Sequence, residues 1–306
     1  MAEEKIKKGL CGICPAGCGI DIVMDGERLH KIKPMKGHPL GIVCLRGVHS
    51  EEIVYSPDRL QFPMKRIGDR GAGKLERISW EEAFEISARL IKQVAQKYGP
   101  EAMAIYSGRG GFEQSLCDMF TTGGYDRICL NLFFPMGSPN TFSCSSLCNN
   151  SHRVLAPVAT FGATFDRLFP DIERSDQIVV WGANPATDSP PINLKKILEA
   201  RERGVKVVVI DPLKTYMAEK ADEWIGIRPG TDGALALGIA HVIMEKGSYD
   251  LPFADDWTHG LREFREYVKD FSPKEVEKIT WVKAERIERL ARDLSRLRTA
   301  PLIHTG

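Results

Sequence analysis

The sequence lacks the features that mark a membrane protein or a nucleic-acid-binding protein. Its longest apolar run, residues 234–244, contains His241 and is much shorter than the ~20 residues that a membrane-spanning helix needs. Charge of one sign is not in excess, because 42 Lys and Arg residues are balanced by 41 Asp and Glu residues, a net charge of +1. Such a balance gives no electrostatic reason to expect binding to nucleic acid or to an anionic membrane. We therefore expect neither a membrane span nor a nucleic-acid partner.

The N-terminus also lacks a targeting signal. Residues 1–8 contain no apolar signal core and no twin arginine, which favours a cytoplasmic location, although a leader trimmed beforehand would leave the same sequence. With 43% hydrophobic and 27% charged residues, the composition is that of a globular protein rather than of a disordered chain or a coiled coil. At ~150 residues per domain, 306 residues predict about two domains.

The N-terminal part of the chain has its own pattern. Residues 1–62 are rich in Cys, Gly and Pro. The short apolar runs Ile20–Met24 and Leu29–Ile32 flank Asp25-Gly26, which predicts a β-hairpin.

A long helix is predicted next. Ser79 and Glu82 form a capping box, a hydroxyl at the N-cap followed three residues later by a carboxylate. Apolar residues recur at helical spacing as far as Ala95, and Gly99 ends the helix. Residues 102–106 are predicted to form a strand.

The C-terminal part alternates between apolar strands and helices. Strands are predicted at 178–181, 205–210 and 224–227, with a helix at 192–203 between the first two. This order of strand, crossover helix and strand implies a parallel sheet. Residues 302–304 resemble the start of another strand with no partner after it, an ending that suggests a fragment. Further helices are predicted at 233–246, 255–269, 273–279 and 283–298.

Four of the eight cysteines fall within the first 44 residues: Cys11, Cys14, Cys18 and Cys44. Three thiolates on one glycine-rich loop and a fourth brought in later suit a [4Fe–4S] cluster, in which each cysteine binds one iron atom. Zinc is the main alternative, although zinc ribbons usually pair two cysteines with two. Structural thiols without a metal stay open as well, whereas a disulfide framework is typical of smaller secreted domains.

The spacing of these cysteines, with three neighbouring motifs, resembles a known family. The motifs are Leu45-Arg46-Gly47 directly after Cys44, the sequence SPDRL at 56–60 and RISWEEA at 77–83. The chain is similar to the N-terminal part of the catalytic subunit of molybdenum/tungsten bis-pterin guanine dinucleotide oxidoreductases, the dimethyl sulfoxide reductase superfamily. The similarity covers essentially all 306 residues.

The resemblance implies an α/β fold with three domains. Residues 1–62 are expected to form a small [4Fe–4S]-binding domain, and residues 63–135 the first part of a mixed α/β domain. Residues 136–306 are expected to form a Rossmann-like parallel-sheet domain that holds a pterin dinucleotide and is truncated at its C-terminus. Family members are longer than this chain.

The segment Gly137–Cys148 resembles the loop that presents the metal ligand in this family. Its Ser-Leu-Cys ending resembles polysulfide and thiosulfate reductases, which implies that the Cys148 thiolate binds molybdenum or tungsten. A soft thiolate suits a metal already held by dithiolene sulfurs. Cys144 is a rival ligand, and a buried structural role for Cys148 is the other alternative. Asn149 stands where formate dehydrogenases carry a His, which puts formate oxidation in doubt.

Two charged or titratable residues complete the implied catalytic centre. Arg46 occupies a position where the family often has Lys, between the cluster and the pterin, and Arg cannot pass on a proton as Lys can. His152 is a candidate proton donor near the metal, and a surface role is the alternative. Cys117 and Cys129 have no ligand-like spacing and are interpreted as structural.

The predicted strand ends carry candidate dinucleotide contacts. Nucleotides bind at the carboxyl ends of parallel strands, where backbone N–H groups meet phosphates. The sequence has no Gly-x-Gly-x-x-Gly fingerprint, so NAD and FAD are disfavoured, and the resemblance implies a guanine dinucleotide instead. Asp211 suits ribose hydroxyls and Asp232 suits the donor edge of guanine, although Asp232 also suits a helix N-cap. The candidate residues are Gly182, Asn184, Pro185, Asp211, Thr215, Gly230, Thr231 and Asp232.

The resemblance predicts a molybdopterin-dependent oxidoreductase. Its cofactors would be a [4Fe–4S] cluster and a molybdenum or tungsten bis(molybdopterin guanine dinucleotide), and its partner an iron–sulfur electron-transfer subunit. The substrate would be a small molecule. The Ser-Leu-Cys loop favours a sulfur compound or a related oxyanion. Two alternatives from other classes stay open: a non-redox lyase resembling acetylene hydratase, and an isolated iron–sulfur or zinc module.

Overall fold

The computed structural model describes residues 5–13, 17–107, 133–143, 155–163, 170–187 and 192–303. The chain divides into two compact units, Met1–Phe165 and Asp166–Gly306. Each unit contains its own sheets, and each is described separately below.

The first unit begins with a three-stranded antiparallel sheet in the order β1-β2-β3. Its strands are β1 Lys5–Leu10, β2 Gly19–Asp25 and β3 Arg28–Pro34. The predicted hairpin is confirmed, because Asp25 pairs with Arg28 across a turn in which Gly26 has a φ of 58°. A positive φ is available to glycine at little steric cost, which explains the position of this turn.

Two short helices, α1 Leu45–Val48 and α2 Ser50–Val54, follow this sheet. The Tyr55 hydroxyl, just after α2, accepts a hydrogen bond from the backbone N–H of Leu29 at 2.9 Å. The guanidinium of Arg28 lies 4.3 Å from the centre of the Tyr55 ring. These contacts attach the helical segment that follows Cys44 to the edge of the sheet.

The next part of the first unit is a short pair of strands followed by one long helix. Strands β4 Met64–Arg66 and β5 Leu75–Arg77 pair antiparallel ahead of helix α3 Trp80–Tyr98. One of the two hydrogen bonds of the predicted capping box is confirmed: the Ser79 hydroxyl accepts the backbone N–H of Glu82 at 3.1 Å.

The segment after this helix differs from the sequence prediction. Pro100–Ala102 forms a 3-10 turn, and the strand β6 covers Ile105–Ser107 rather than residues 102–106. Strand β6 pairs in parallel with β7 Thr141–Ser143, and helix α4 covers Ala156–Phe161. Strand β7 thus pairs with a strand of the first unit, and the domain boundary expected at residues 135/136 stays a prediction.

The second unit contains a four-stranded, fully parallel sheet, which confirms the predicted parallel arrangement. Its strands are β8 Gln177–Trp181, β9 Lys206–Ile210, β10 Glu223–Ile225 and β11 Thr299–Ile303. The order is β10-β9-β8-β11, so the last strand begins at Thr299 and pairs with β8, which precedes it by more than a hundred residues. The sequence detected only the end of this strand and not its partner.

Helices cover both faces of this sheet. They are α5 Ile192–Glu202, α6 Tyr216–Lys220, α7 Asp232–Glu245, α8 Leu251–Trp257, α9 Leu261–Tyr267, α10 Pro273–Thr280 and α11 Ala284–Arg296. The single helix predicted at 255–269 is wrong, because Gly260 adopts a φ of 81° and separates α8 from α9.

The core of the second unit alternates along the strands. Val179 and Val208 pack in one apolar cluster with residues of α7, α10 and α11, whereas Val180 and Val207 pack in a second cluster with residues of α5 and α6. Burial on both faces is typical of parallel sheets and explains why their strands are continuously apolar. Because the strands are parallel and packed on both faces, their carboxyl ends lie together on the same side of the sheet.

An ion pair joins the segments that precede the neighbouring strands β8 and β11, and it makes the stability of the fold depend on pH. Arg298, before β11, donates two side-chain hydrogen bonds to the carboxylate of Asp176, before β8, at 2.8 and 2.9 Å. These hydrogen bonds lower the pKa of Asp176 to about 2. A lowered pKa stabilises the fold above the ordinary value of 3.8, and this contribution is lost as the pH falls towards 2.

We therefore expect Asp176→Asn to lower the free energy of unfolding near neutral pH, and the difference from wild type to shrink below pH 3.8. Urea denaturation of both proteins over a series of pH values measures this difference. Asp255→Asn, at an exposed position of α8, is the control. A difference that stays constant down to the acid limit would contradict the assignment.

No helix in the described part of the chain is both long enough and apolar enough to cross a membrane.

Candidate functional site

Two of the predicted cluster ligands flank one loop of the first unit. Cys11 follows β1, Cys18 precedes β2, and the backbone N–H of Cys11 donates to the carbonyl of Cys18 at 2.8 Å. Both side chains are buried, with 7% and 4% exposure. Cys14, on the same loop, lies outside the described residues.

The structure also brings the remote cysteine segment to this loop. Cys44 is buried and immediately precedes α1, which contains Gly47. A Cβ atom built on Gly47 would lie 2.4 Å from Cγ1 of Val43 and 3.4 Å from Sγ of Cys11. The short distance to Val43 is the one that requires glycine at this position, and the distance to Cys11 shows that the helix after Cys44 lies in van der Waals reach of the Cys11 sulfur.

This thiol-rich region fits the ligand chemistry of an iron–sulfur cluster. Within the described ranges, no three His, Cys, Asp or Glu side chains are grouped so that they could hold a single metal ion. The cysteines of a [4Fe–4S] cluster each bind a different iron atom and need not converge on one point. The ligand set of Cys11, Cys14, Cys18 and Cys44 stays a prediction.

Arg46 lies on α1, two residues after Cys44, and its side chain is exposed. Its guanidinium makes no side-chain hydrogen bond or ion pair with another described residue. The exposed position is compatible with both interpretations of this residue, a contact to a cofactor and a surface charge.

The two other residues of the implied catalytic centre, Cys148 and His152, lie outside the described residues, as does the rival ligand Cys144. The start of their segment is well anchored. The buried hydroxyl of Ser138 donates to the carbonyl of Met103 at 2.7 Å, and the Asn140 amide donates to the carbonyl of Glu101 at 2.6 Å.

The predicted dinucleotide contacts follow the carboxyl ends of three strands in the sheet of the second unit. Strands β8, β9 and β10 are adjacent and parallel, so their carboxyl ends point the same way. After β8, the chain adds β9 and then β10 on one side of β8. The last strand, β11, is added on the opposite side of β8. The edge beyond Trp181 and Gly182 is therefore a topological switch point, where open parallel sheets bind ligands.

The first strand end is a tight turn. Gly182 has a φ of 58°, and its backbone N–H donates to the carbonyl of Ile210 at 2.9 Å, which extends the pairing with β9. The carbonyl of Asn184 accepts the N–H of Thr187 at 2.8 Å, and Pro185 is buried between them. The turn keeps the backbone near the strand end and leaves little side-chain bulk there.

The second strand end is organised by Asp211. Its carboxylate accepts the backbone N–H of Leu213 at 2.8 Å, and its carbonyl accepts the indole N–H of Trp224 at 2.9 Å. Thr215 is the N-cap of α6, where its hydroxyl accepts the N–H of Ala218 at 3.3 Å. The hydrogen bond to Leu213 holds the Asp211 carboxylate at the end of β9.

The third strand end brings Asp232 into contact with the first. The Thr231 hydroxyl donates to the carbonyl of Arg228 at 2.6 Å and closes the turn that contains Gly230, whose φ is 77°. Asp232 is the first residue of α7, and Thr231 is the N-cap, so Asp232 is not the cap. Its Oδ1 instead accepts the indole N–H of Trp181 at 2.7 Å.

Trp181 is a further candidate site residue, which the sequence alone did not indicate. It was counted only as the last position of a buried strand, and its indole N–H bridges that strand end to Asp232, 51 residues later. A tryptophan at the exit of an otherwise aliphatic strand is a weak signal, because its nitrogen needs a partner when partly buried.

Two family models match the chain. A model described as "Molybdopterin oxidoreductase Fe4S4 domain" matches residues 4–56, and one described as "Molybdopterin oxidoreductase" matches residues 59–271. The first covers the loop of Cys11 and Cys18 together with Cys44. The second covers all three strand ends up to Asp232.

Curated relatives agree with these matches. The chain is 32% identical over 296 residues to probable oxidoreductase YoaE of Bacillus subtilis, covering 95% of this chain and 41% of that protein. It is 29% identical to thiosulfate reductase subunit PhsA of Salmonella typhimurium, covering 99% of this chain and 38% of that protein. It is also 29% identical to formate dehydrogenase H of Escherichia coli, covering 96% and 40%.

A solved structure has the same fold. Acetylene hydratase from Pelobacter acetylenicus superimposes with a TM-score of 0.69 at 27% identity, over 96% of this chain and 40% of that chain. The chain thus spans about two fifths of the length of the relatives it matches.

Proposed function

The chain belongs to the molybdopterin oxidoreductase family, and from this premise we propose that it forms part of the catalytic unit of a two-electron oxidoreductase acting on a small molecule. The observation that carries the proposal is the approach of the helix after Cys44 to the Cys11 sulfur, within the segment that the Fe4S4 domain model matches. Such convergence serves a buried inorganic centre and has no evident use in a simple nucleotide-binding protein.

The residues proposed to hold the cofactors fall into two sets. The [4Fe–4S] cluster would be bound by Cys11, Cys14, Cys18 and Cys44. One pterin guanine dinucleotide would be bound by Gly182, Asn184, Pro185, Asp211, Thr215, Gly230, Thr231 and Asp232. Cys148 is proposed as the protein ligand to molybdenum or tungsten.

When bound, these cofactors supply one-electron transfer at the cluster and two-electron redox chemistry at the metal. The chain's own residues orient and surround them. Arg46 would place a fixed positive charge next to the cluster, and His152 would hold or release a proton near the substrate. Asp232, oriented by Trp181, would accept hydrogen bonds from the donor edge of guanine.

An iron–sulfur electron-transfer subunit is the proposed redox partner. Electrons need a short path from the protein surface to the cluster. We expect α1 to offer one, because exposed Leu45 and Val48 lie on the helix that directly follows buried Cys44. Apolar side chains left exposed beside a redox centre suit a protein partner.

A sulfur compound or a related oxyanion is the proposed substrate class, on the strength of the Ser-Leu-Cys loop that ends at Cys148. The match to a thiosulfate reductase subunit favours the same class. Formate dehydrogenase H matches at the same identity, so overall similarity does not separate a sulfur substrate from formate. The residue that disfavours formate is Asn149, which follows Cys148.

A non-redox hydratase is the second candidate. The solved acetylene hydratase matches this chain in fold at 27% identity, and a curated acetylene hydratase is 31% identical to it. On this alternative the same scaffold would activate water without net electron transfer.

Metal analysis of the anaerobically purified protein tests the main proposal. We expect about four iron atoms and four sulfide ions per chain, together with molybdenum or tungsten. Zinc alone would contradict the proposal. Reduction or oxidation of a redox dye during turnover then separates an oxidoreductase from a hydratase, which would leave the dye unchanged.

The role of Trp181 can be tested with a conservative change. Trp181→Phe keeps an aromatic ring and removes the N–H that holds Asp232, so we expect GDP binding to weaken about two- to tenfold, equivalent to about 0.5–1.5 kcal/mol. Trp257→Phe, at the exposed end of α8, is the matched control. Isothermal titration with GDP measures both. Equal affinity of the two variants would mean that the Trp181 hydrogen bond serves the fold alone.

A further inference from the structure

His38 packs directly on the backbone beside a proposed cluster ligand. It lies in the segment after β3, and its ring is half-buried. A Cβ atom built on Gly19, the residue after Cys18, would lie only 2.5 Å from Cγ and Cδ2 of His38. The imidazole therefore occupies the space that a side chain at position 19 would need, and only glycine permits this contact.

The backbone N–H and the backbone carbonyl of Gly19 both form hydrogen bonds with the segment that contains His38. The backbone N–H of Gly19 donates to Nδ1 of His38 at 3.3 Å, and its carbonyl accepts the N–H of Met35 at 3.0 Å. The N–H of Leu40 donates to the same Nδ1 at 3.3 Å. Because Nδ1 accepts both hydrogen bonds, the pattern assigns the ring proton to Nε2.

These contacts matter because the Gly19 N–H directly follows Cys18. Hydrogen bonds from backbone N–H groups to cluster sulfurs stabilise the reduced, more negative cluster and so raise its reduction potential. An N–H group occupied by an imidazole nitrogen is not available to a sulfur. In the structure this donor is therefore directed to His38.

We propose that His38 is a positioning residue that withholds the Gly19 N–H from the cluster sulfurs and thereby keeps the reduction potential of the cluster low. The inference rests on the proposed function, since it requires that Cys18 binds a cluster. It makes no use of a change in the charge of His38.

Three variants of the anaerobically purified protein test the inference. His38→Ala frees the Gly19 N–H, and we expect a positive shift of the cluster potential in an EPR-monitored redox titration. His38→Asn places an amide oxygen where Nδ1 stood, and we expect a potential close to wild type. His30→Ala, at an exposed histidine of β3, is the control for loss of a histidine and should leave the potential unchanged.

A second measurement does not need the cluster. In the metal-free wild type the Gly19 amide should exchange its hydrogen slowly, and His38→Ala should exchange it faster, with His38→Asn in between or equal to wild type. If His38→Ala fails to load iron, His38→Gln is used in its place. The amide oxygen of Gln lies one bond farther from Cβ than that of Asn. We therefore expect His38→Gln to shift the cluster reduction potential and His38→Asn to leave it close to wild type.

The outcomes separate this inference from the proposed function. An unchanged potential in fully loaded His38→Ala, or equal shifts in the Ala and Asn variants, would overturn the role of the Nδ1 acceptor while leaving the cluster in place. Absence of iron and sulfide from the wild type would instead refute the cluster, and a fast-exchanging Gly19 amide in the wild type would refute the withheld donor.

Discussion

Replacing Cys44 with alanine is expected to reduce the iron and sulfide content from about four of each per chain to nearly none. Cys44 is buried and immediately precedes α1, in which Gly47 lies close to the Cys11 sulfur. Alanine removes the thiolate without adding bulk, so the loss would report on ligation rather than on packing. Iron and sulfide assays, with EPR of the reduced protein, measure the change.

The matched control for this experiment is Cys129→Ala. Cys129 has no ligand-like spacing in the sequence, and we expect this variant to keep its full iron and sulfide content. Full iron content in Cys44→Ala would contradict the proposed ligand set. Circular dichroism of both variants shows whether the parallel sheet of the second unit is kept when the cluster is lost.

The second large effect is expected at Asp232. Removal of a charged hydrogen-bond acceptor costs about 1.5–3 kcal/mol, so Asp232→Ala should weaken GDP binding by about 10- to 150-fold. The carboxylate is already oriented by the indole of Trp181, which lies at the switch point of the sheet. Its two oxygens suit the paired N–H donors of guanine.

A change of base sharpens this test. Inosine diphosphate lacks the exocyclic amine of guanine, so the wild type should bind GDP more tightly than inosine diphosphate, and Asp232→Ala should bind both alike. Asp255→Ala, at an exposed aspartate of α8, controls for loss of a negative charge. If Asp232→Ala still prefers GDP by the wild-type ratio, Asp232 does not contact the base.

Several features could be predicted because their signals are local. Asp25-Gly26 specifies a tight hairpin, and Ser79 with Glu82 specifies the start of a helix, through contacts within a few residues. The alternation of aliphatic strands and helices after residue 170 predicts a parallel sheet, because only strands buried on both faces are continuously apolar. The helix predicted across Gly260 was wrong, since one positive φ outweighed the periodicity of its neighbours.

The site depends on contacts that no local pattern encodes. Trp181 meets Asp232 across 51 residues, and β11 pairs with β8 from more than a hundred residues away, which places the switch point beside Trp181. His38 meets Gly19 through the way that the segment after β3 folds back on β2.

The sequence by itself determined the family, because the motifs that identify it are a property of the covalent chain. It also predicts the cluster ligands Cys11, Cys14, Cys18 and Cys44 from their spacing. Local signals likewise determined the hairpin at Asp25-Gly26 and the start of α3, whose hydrogen bonds close over short distances. Only the tertiary structure decided which strand ends are neighbours, which N–H groups are occupied and which glycines are required, since these depend on packing between segments far apart in the chain.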